Sequence, residues 1–149
     1  MLNVLFIGDV NGKIGRQAVA KILPKLKKSQ KIDFVFANAE NAAHGTGVTE
    51  DTLKELMDAG IDYFTNGDHA FDKVKQIDCY EKFPVLRPAN YSSDAPGKGY
   101  AVIEKGKYKI SFTKIHDEQT CKGQNNLKWE KTEKKSNIMH LFQTERRKT

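Results

Sequence analysis

The chain has 149 residues, 38% of them hydrophobic and 30% charged, with a formal net charge of +6; this is the composition of one globular domain, not of a membrane-embedded or low-complexity chain. The N-terminal run MLNVLFI lacks a basic leader and a small-residue cleavage site and is broken by Gly8-Asp9, so it reads as a buried strand and not as a signal peptide. Cys79 and Cys121 lie 42 positions apart without CxxC or zinc-ribbon spacing, which argues against a disulfide framework or structural zinc and makes the cytoplasm the default location.

Residues 2 to 7 (LNVLFI) are the first predicted strand. Ile14, Ala18, Val19, Ile22, Leu23 and Leu26 then recur at helical spacing, and Pro24 within that pattern predicts a kink or an early break. A second strand is predicted over 32 to 37 (IDFVFA). Thr49 is a plausible N-cap, with Glu50 and Asp51 in the first turn, Leu53, Leu56 and Met57 on one face, and Gly60 as the stop. The third strand is predicted over 61 to 65 (IDYFT). Strands alternating with helices predict an α/β fold with a mostly parallel sheet flanked by helices.

Residues 99 to 104 and 107 to 112 flank Lys105-Gly106 and predict a hairpin. Beyond Phe112 the character changes: residues 113 to 149 carry nine Lys/Arg against five Asp/Glu and little apolar periodicity. This second segment reads as a basic polar tail, largely unstructured, with one short helix expected near Ile138 to Phe142. The expected organisation is therefore a domain over 1–112 followed by the tail over 113–149.

In parallel sheets the loops after the strands' C-terminal ends carry ligands. Here those loops are GDVNGKIG, NAENAAHGTG and NGDHAFD. Together they bring Asp9, Glu40, Asn41, Asp68 and His69 to one sheet edge. Carboxylate, amide oxygen and imidazole suit hard or borderline divalent ions such as Mn²⁺, Fe²⁺ and Mg²⁺, and a carboxylate shared by two ions suits phosphoryl chemistry. The blander alternatives are that Asp9 is a cap or sugar-binding group, that Asp68 caps a helix starting at His69 or Ala70, and that His44 is a solvated or substrate-side residue. GDVNGKIG fails as a P-loop, having three residues where four are needed and Ile14 in place of the hydroxyl, and it is not GxGxxG.

In order and spacing, LFIGDVNGKIGR, NAENAAHGTGVTE, GDHAFDK and LRPANYSSDAPGKGYAV resemble the YmdB-like family of calcineurin-type metallophosphoesterases over residues 1 to 112. The resemblance implies a two-sheet core, incomplete in this chain, and a hydrolase acting on phosphodiesters such as cyclic nucleotides through two divalent metal ions. It implies Asp9 as a ligand of one metal, Glu40 as the bridge, Asn41 facing metal and substrate, Asp68 as a ligand, and His69 beside the phosphate as proton donor or charge stabiliser. His44 joins Asn41 on the substrate side. The chain departs from the family at Asp68, where the family has Asn, and in lacking the Gly-His-Thr-His motif of the family's second half.

The expectation is thus a truncated metallophosphoesterase whose activity is in question. A phosphoesterase remnant serving as a binding or regulatory module is the competing expectation. A homo-oligomer could cover the incomplete core, and the basic tail, with Trp129, is a weak signal for nucleic acid. No membrane partner is expected.

Overall fold

The computed structural model of the chain describes residues 2–73, 75, 78–105, 108–115 and 138–144. Strands β1 (Val4–Asp9), β2 (Phe34–Asn38), β3 (Tyr63–Thr65) and β4 (Val85–Leu86) form a parallel sheet in the order β1-β2-β3-β4. Helices α1 (Gly12–Ser29), α2 (Glu50–Asp58) and α3 (Cys79–Lys82) lie between successive strands. The α/β architecture read from the alternation is the one observed. Among the described residues no helix is long and apolar enough to cross a membrane.

All five residues of β2 are buried, because β2 has a strand on each side and a layer on each face. Its side chains alternate between two cores. Val35 and Ala37 join Leu23 of α1, Leu53 and Leu56 of α2, Phe64 and Val85 in the first core. Phe34 and Phe36 join the second core with Leu86, Ile110 and Phe112. Those last two belong to β6 (Tyr108–Ile115), which pairs antiparallel with β5 (Tyr100–Lys105). The Phe36 and Phe112 rings, 4.3 Å apart at 42°, join one sheet to the other. The hairpin is present, and its sheet packs on the parallel sheet.

Three local expectations are corrected. First, α1 runs through Pro24 to Ser29 and does not break early. Pro24 and Ala20, the residue whose carbonyl loses its partner, are exposed, so water can take the place of the lost bond. Second, only part of the predicted apolar stripe is covered: Leu23 is buried, whereas Ile14 and Ile22 of α1 and Met57 of α2 are exposed. Third, residues 138–144 form a strand, β7 (Ile138–Thr144), parallel to β6, where a short helix was expected. A single short turn of helix is costly to nucleate alone, and the open edge of β6 offers a ladder of backbone partners instead. Residues 113–115 of the tail belong to β6, and residues 116–137 and 145–149, with His116, Cys121 and Trp129, lie outside the described residues.

Candidate active site

The three site strands end level. Asp9 pairs in register with Asn38, and Asn38 with Thr65. The ladder continues one step past the strands through Val10 N–H to Asn38 O (3.0 Å), Ala39 N–H to Thr65 O (2.9 Å) and Asn66 N–H to Leu86 O (3.0 Å). The loops therefore leave a backbone that is paired up to the last residue, and they inherit its rigidity.

Asp9 is the final residue of β1 and is exposed. The Asn41 side-chain amide donates to Asp9 Oδ2 at 2.8 Å, and Gly12 N–H donates to Asn41 O at 2.9 Å, so the first loop is tied to the second. Arg16 of α1 fastens the second loop from beneath, donating to Ala42 O and to Glu55 of α2, both at 2.5 Å. Glu40 is buried at 5% exposure. Its Oε1 accepts from Asn38 Nδ2 at 2.9 Å, and its backbone N–H donates to Asn38 Oδ1 at 3.2 Å. Asn38 thus fixes the direction in which the buried carboxylate projects.

The third loop meets that carboxylate directly. A side chain at Gly67 would overlap Glu40 Oε2 and lie 2.9 Å from Glu40 Cδ, so this glycine is required by close approach and not by its backbone angle. The loop is also pinned by two phenols: Tyr91 Oη donates to Gly67 O at 3.1 Å, and Tyr80 Oη donates to Ala70 O while accepting from Asn66 Nδ2 at 2.7 Å. Burial pushes the Tyr80 phenol far above its ordinary value, so it stays protonated and keeps that donor.

Residues 68–71 form turns and not a helix, which removes the capping alternative for Asp68. His69 Nε2 lies 4.0 Å from Asp68 Oδ1, and His69 Nδ1 lies 2.7 Å from Asp72 Oδ2. The Thr46 hydroxyl, from the second loop, donates to the same Asp72 oxygen and lies 3.4 Å from His69 Nδ1. The bond to Asp72 holds His69 above the ordinary histidine range, with the Asp68, Asp72 and Glu40 carboxylates adding to it against partial desolvation. Asp72 is pulled below its usual value, first by Thr46 and then by His69. His44 is exposed, with φ of 58° beside Gly45 at 88°. Thr46 and Asp72 escaped the sequence reading; the one available signal was the His-x-x-Asp spacing within a loop.

The donor chemistry suits a hard divalent cation: carboxylates from Asp9, Glu40 and Asp68, with the Asn41 amide oxygen left over because its nitrogen faces Asp9. The arrangement is one of neighbouring pairs, Asp9 with Asn41 and Asp68 with His69. Among the described residues no three His, Cys, Asp or Glu side chains converge closely enough to hold an ion. Cys79 plays no part in the edge. It is buried, and burial raises its thiol, as expected of an inert core cysteine.

Comparison with known proteins bears on the family and the fold. The sequence model of the YmdB-like protein family matches residues 5–144, beyond residue 112 where the motif resemblance was placed. A 2′,3′-cyclic-nucleotide 2′-phosphodiesterase of Bacillus subtilis (strain 168) is 42% identical over 104 residues, covering 69% of this chain and 39% of that protein. Among solved structures, a hypothetical protein from Thermus thermophilus superposes with a TM-score of 0.73 at 38% identity, over 76% of this chain and 44% of the other. A novel phosphatase from Mycoplasma pneumoniae superposes with a TM-score of 0.76 at 28% identity, over 98% of this chain and 57% of the other. The chain spans only 39% of the Bacillus relative's length. With a family match across nearly all of it, the chain belongs to the YmdB-like protein family.

Proposed function

We propose that the chain carries the N-terminal part of a phosphodiesterase site that hydrolyses phosphodiesters of the cyclic-nucleotide type with divalent metal ions. The observation that carries this reading is the buried Glu40 carboxylate, aimed by Asn38 and closed over by Gly67, in the loop after the strand that lies between those carrying Asp9 and Asp68. A carboxylate that loses its hydration on folding is normally matched by a cation. The similarity to the Bacillus phosphodiesterase supports the substrate class.

Asp9, Glu40, Asn41 and Asp68 would hold the ions, with Glu40 shared between them. Mn²⁺, Fe²⁺ and Mg²⁺ all suit such oxygen donors, and bound there they supply Lewis-acid neutralisation of charge on a phosphate. Asn41 and His44 would face the substrate. In hydrolysis the oxygen of water bonds to phosphorus and gives up a proton to solvent, the bond from phosphorus to the leaving oxygen breaks, and that oxygen takes up a proton. His69 would give it, and as an imidazolium it would also offset the charge that develops on the phosphate.

The test is Mn²⁺-dependent hydrolysis of bis-p-nitrophenyl phosphate and of a 2′,3′-cyclic nucleotide by the 149-residue chain. Turnover should appear in the wild type and vanish in Asp9→Ala and Glu40→Ala. Full activity in either variant would overturn the assigned roles. No turnover from a folded, metal-loaded sample would favour the second reading, a non-catalytic phosphoesterase module.

A further inference from the structure

We infer that Asp72 and Thr46 are positioning residues for His69, and that together they hold Nδ1 so that Nε2 is the nitrogen left on the Asp68 side. The inference rests on the proposed role of His69 as proton donor and goes beyond it, because it specifies which ring nitrogen acts and what keeps it there.

The geometry is closed on one side of the ring only. Asp72 Oδ2 lies 2.7 Å from His69 Nδ1, a charge-assisted hydrogen-bond distance, whereas the other ring nitrogen lies 4.0 Å from the Asp68 carboxylate, too far for a direct bond. Asp72 is itself held: the Thr46 hydroxyl donates to the same oxygen, and Asp72 N–H donates to His69 O at 3.4 Å. Thr46 comes from the loop after β2, so the contact joins two loops that approach each other independently at Gly47. A side chain at Gly47 would lie 2.7 Å from Lys73 Cγ and 3.5 Å from His69 O. The His69 ring is thereby steadied by a residue three positions on in its own turn and by a hydroxyl from the neighbouring loop.

An imidazole has two nitrogens, and which one carries the proton is set by what the other is bonded to. With a carboxylate accepting from Nδ1–H, the proton available for transfer is the one on Nε2, the nitrogen on the Asp68 side. Without Asp72 the ring is free to rotate and to take the other tautomer. Proton transfer from a ring that has to be reoriented is slower, and the loss falls on the step in which the leaving oxygen takes up its proton.

The direct test is the proton position on the neutral ring of His69 in the full chain, read from ¹H–¹⁵N correlations at alkaline pH. The proton should sit on Nδ1 in the wild type and shift towards Nε2 in Asp72→Ala. Thr46→Val, which keeps the side-chain volume, should cause the same change in smaller measure and serves if Asp72→Ala fails to fold. A wild-type proton on Nε2, or a tautomer unchanged in both variants, would overturn the inference whether or not the chain is an enzyme. In the active protein, Asp72→Ala should lower kcat roughly 10–100-fold for a phosphodiester with an alkoxide leaving group and much less for one with p-nitrophenolate, at little change in KM. Equal losses on both substrates would also overturn it. Absence of turnover in the wild type would instead count against the phosphodiesterase reading, with the tautomer measurement still deciding the positioning role.

Discussion

The C-terminal edge of the parallel sheet and its two faces are built on opposite principles. The faces are apolar and depend on volume: β2 places Val35 and Ala37 against the helices, and Phe34 and Phe36 against the second sheet, all buried. The edge is polar and depends on direction. Glu40 is buried there with its carboxylate guided by Asn38, and the loops are fastened by side chains from elsewhere: Asn41 ties the first to the second, Arg16 holds the second, and Tyr80 and Tyr91 hold the third. Burying a carboxylate works against folding unless a cation or hydrogen bonds offset it. The edge is thus supported by stability supplied from the faces.

That division can be broken from the face side first. Phe112 is 1% exposed and contacts Phe36 and Phe6, so Phe112→Ala removes the main aromatic link between the sheets. Deleting a buried phenylalanine costs about 3–5 kcal/mol. Chemical denaturation should show a loss of that size. The bonds that hold the site loops run through Asn38, Arg16, Tyr80 and Tyr91 and not through Phe112, so whatever fraction stays folded should keep the wild-type Mn²⁺ affinity. A Phe112→Ala protein with unchanged stability would mean that the second sheet adds little to the fold.

How far the sequence discloses this division depends on length scale. β1, β2 and β3 were legible because buried parallel strands are short β-branched and aromatic runs ending in polar loops, and α1 and α2 because their patterns last several turns. Once a parallel sheet is inferred, Asp9, Glu40 and Asp68 fall at one edge by topology alone. β4, with two residues, and α3, with four, are too short to carry a period. The sequence could not show that Asp72 folds back on His69, because that contact depends on the turn conformation, nor that Thr46 reaches across from another loop. β7 was misread because five residues cannot reveal which neighbour will supply their backbone bonds; here the edge of β6 does.

A methyl group sharpens the comparison from the edge side. Gly67→Ala places a carbon against the Glu40 carboxylate and, at 3.1 Å, close to Oε1 as well. The carboxylate has to move, and the Asn38 bond that aims it moves with it. The expected result is Mn²⁺ affinity weakened roughly tenfold or more, equivalent to about 1.4 kcal/mol, measured by calorimetric titration, with a smaller loss of fold stability than in Phe112→Ala. Unchanged metal affinity would show that the position of Glu40 is not what binds the ion.

The smallest effect comes from a residue that belongs to neither principle. Thr49 caps α2 by a reciprocal pair: Thr52 N–H donates to Thr49 Oγ1 at 3.3 Å, and Thr49 N–H donates to Thr52 Oγ1 at 3.0 Å. Thr49→Ala removes one of the two and should cost about 1 kcal/mol, visible as a modest shift of the denaturation midpoint at unchanged slope. Because α2 follows the Glu40 loop, this variant loosens the loop's far end without touching the carboxylate. If Mn²⁺ affinity stays at the wild-type level while stability falls, the near-end bonds through Asn38 and Gly67 are enough to hold Glu40 in place. A parallel fall in both would mean that the loop is held as one unit from β2 to α2, and that edge and face are coupled through the cap.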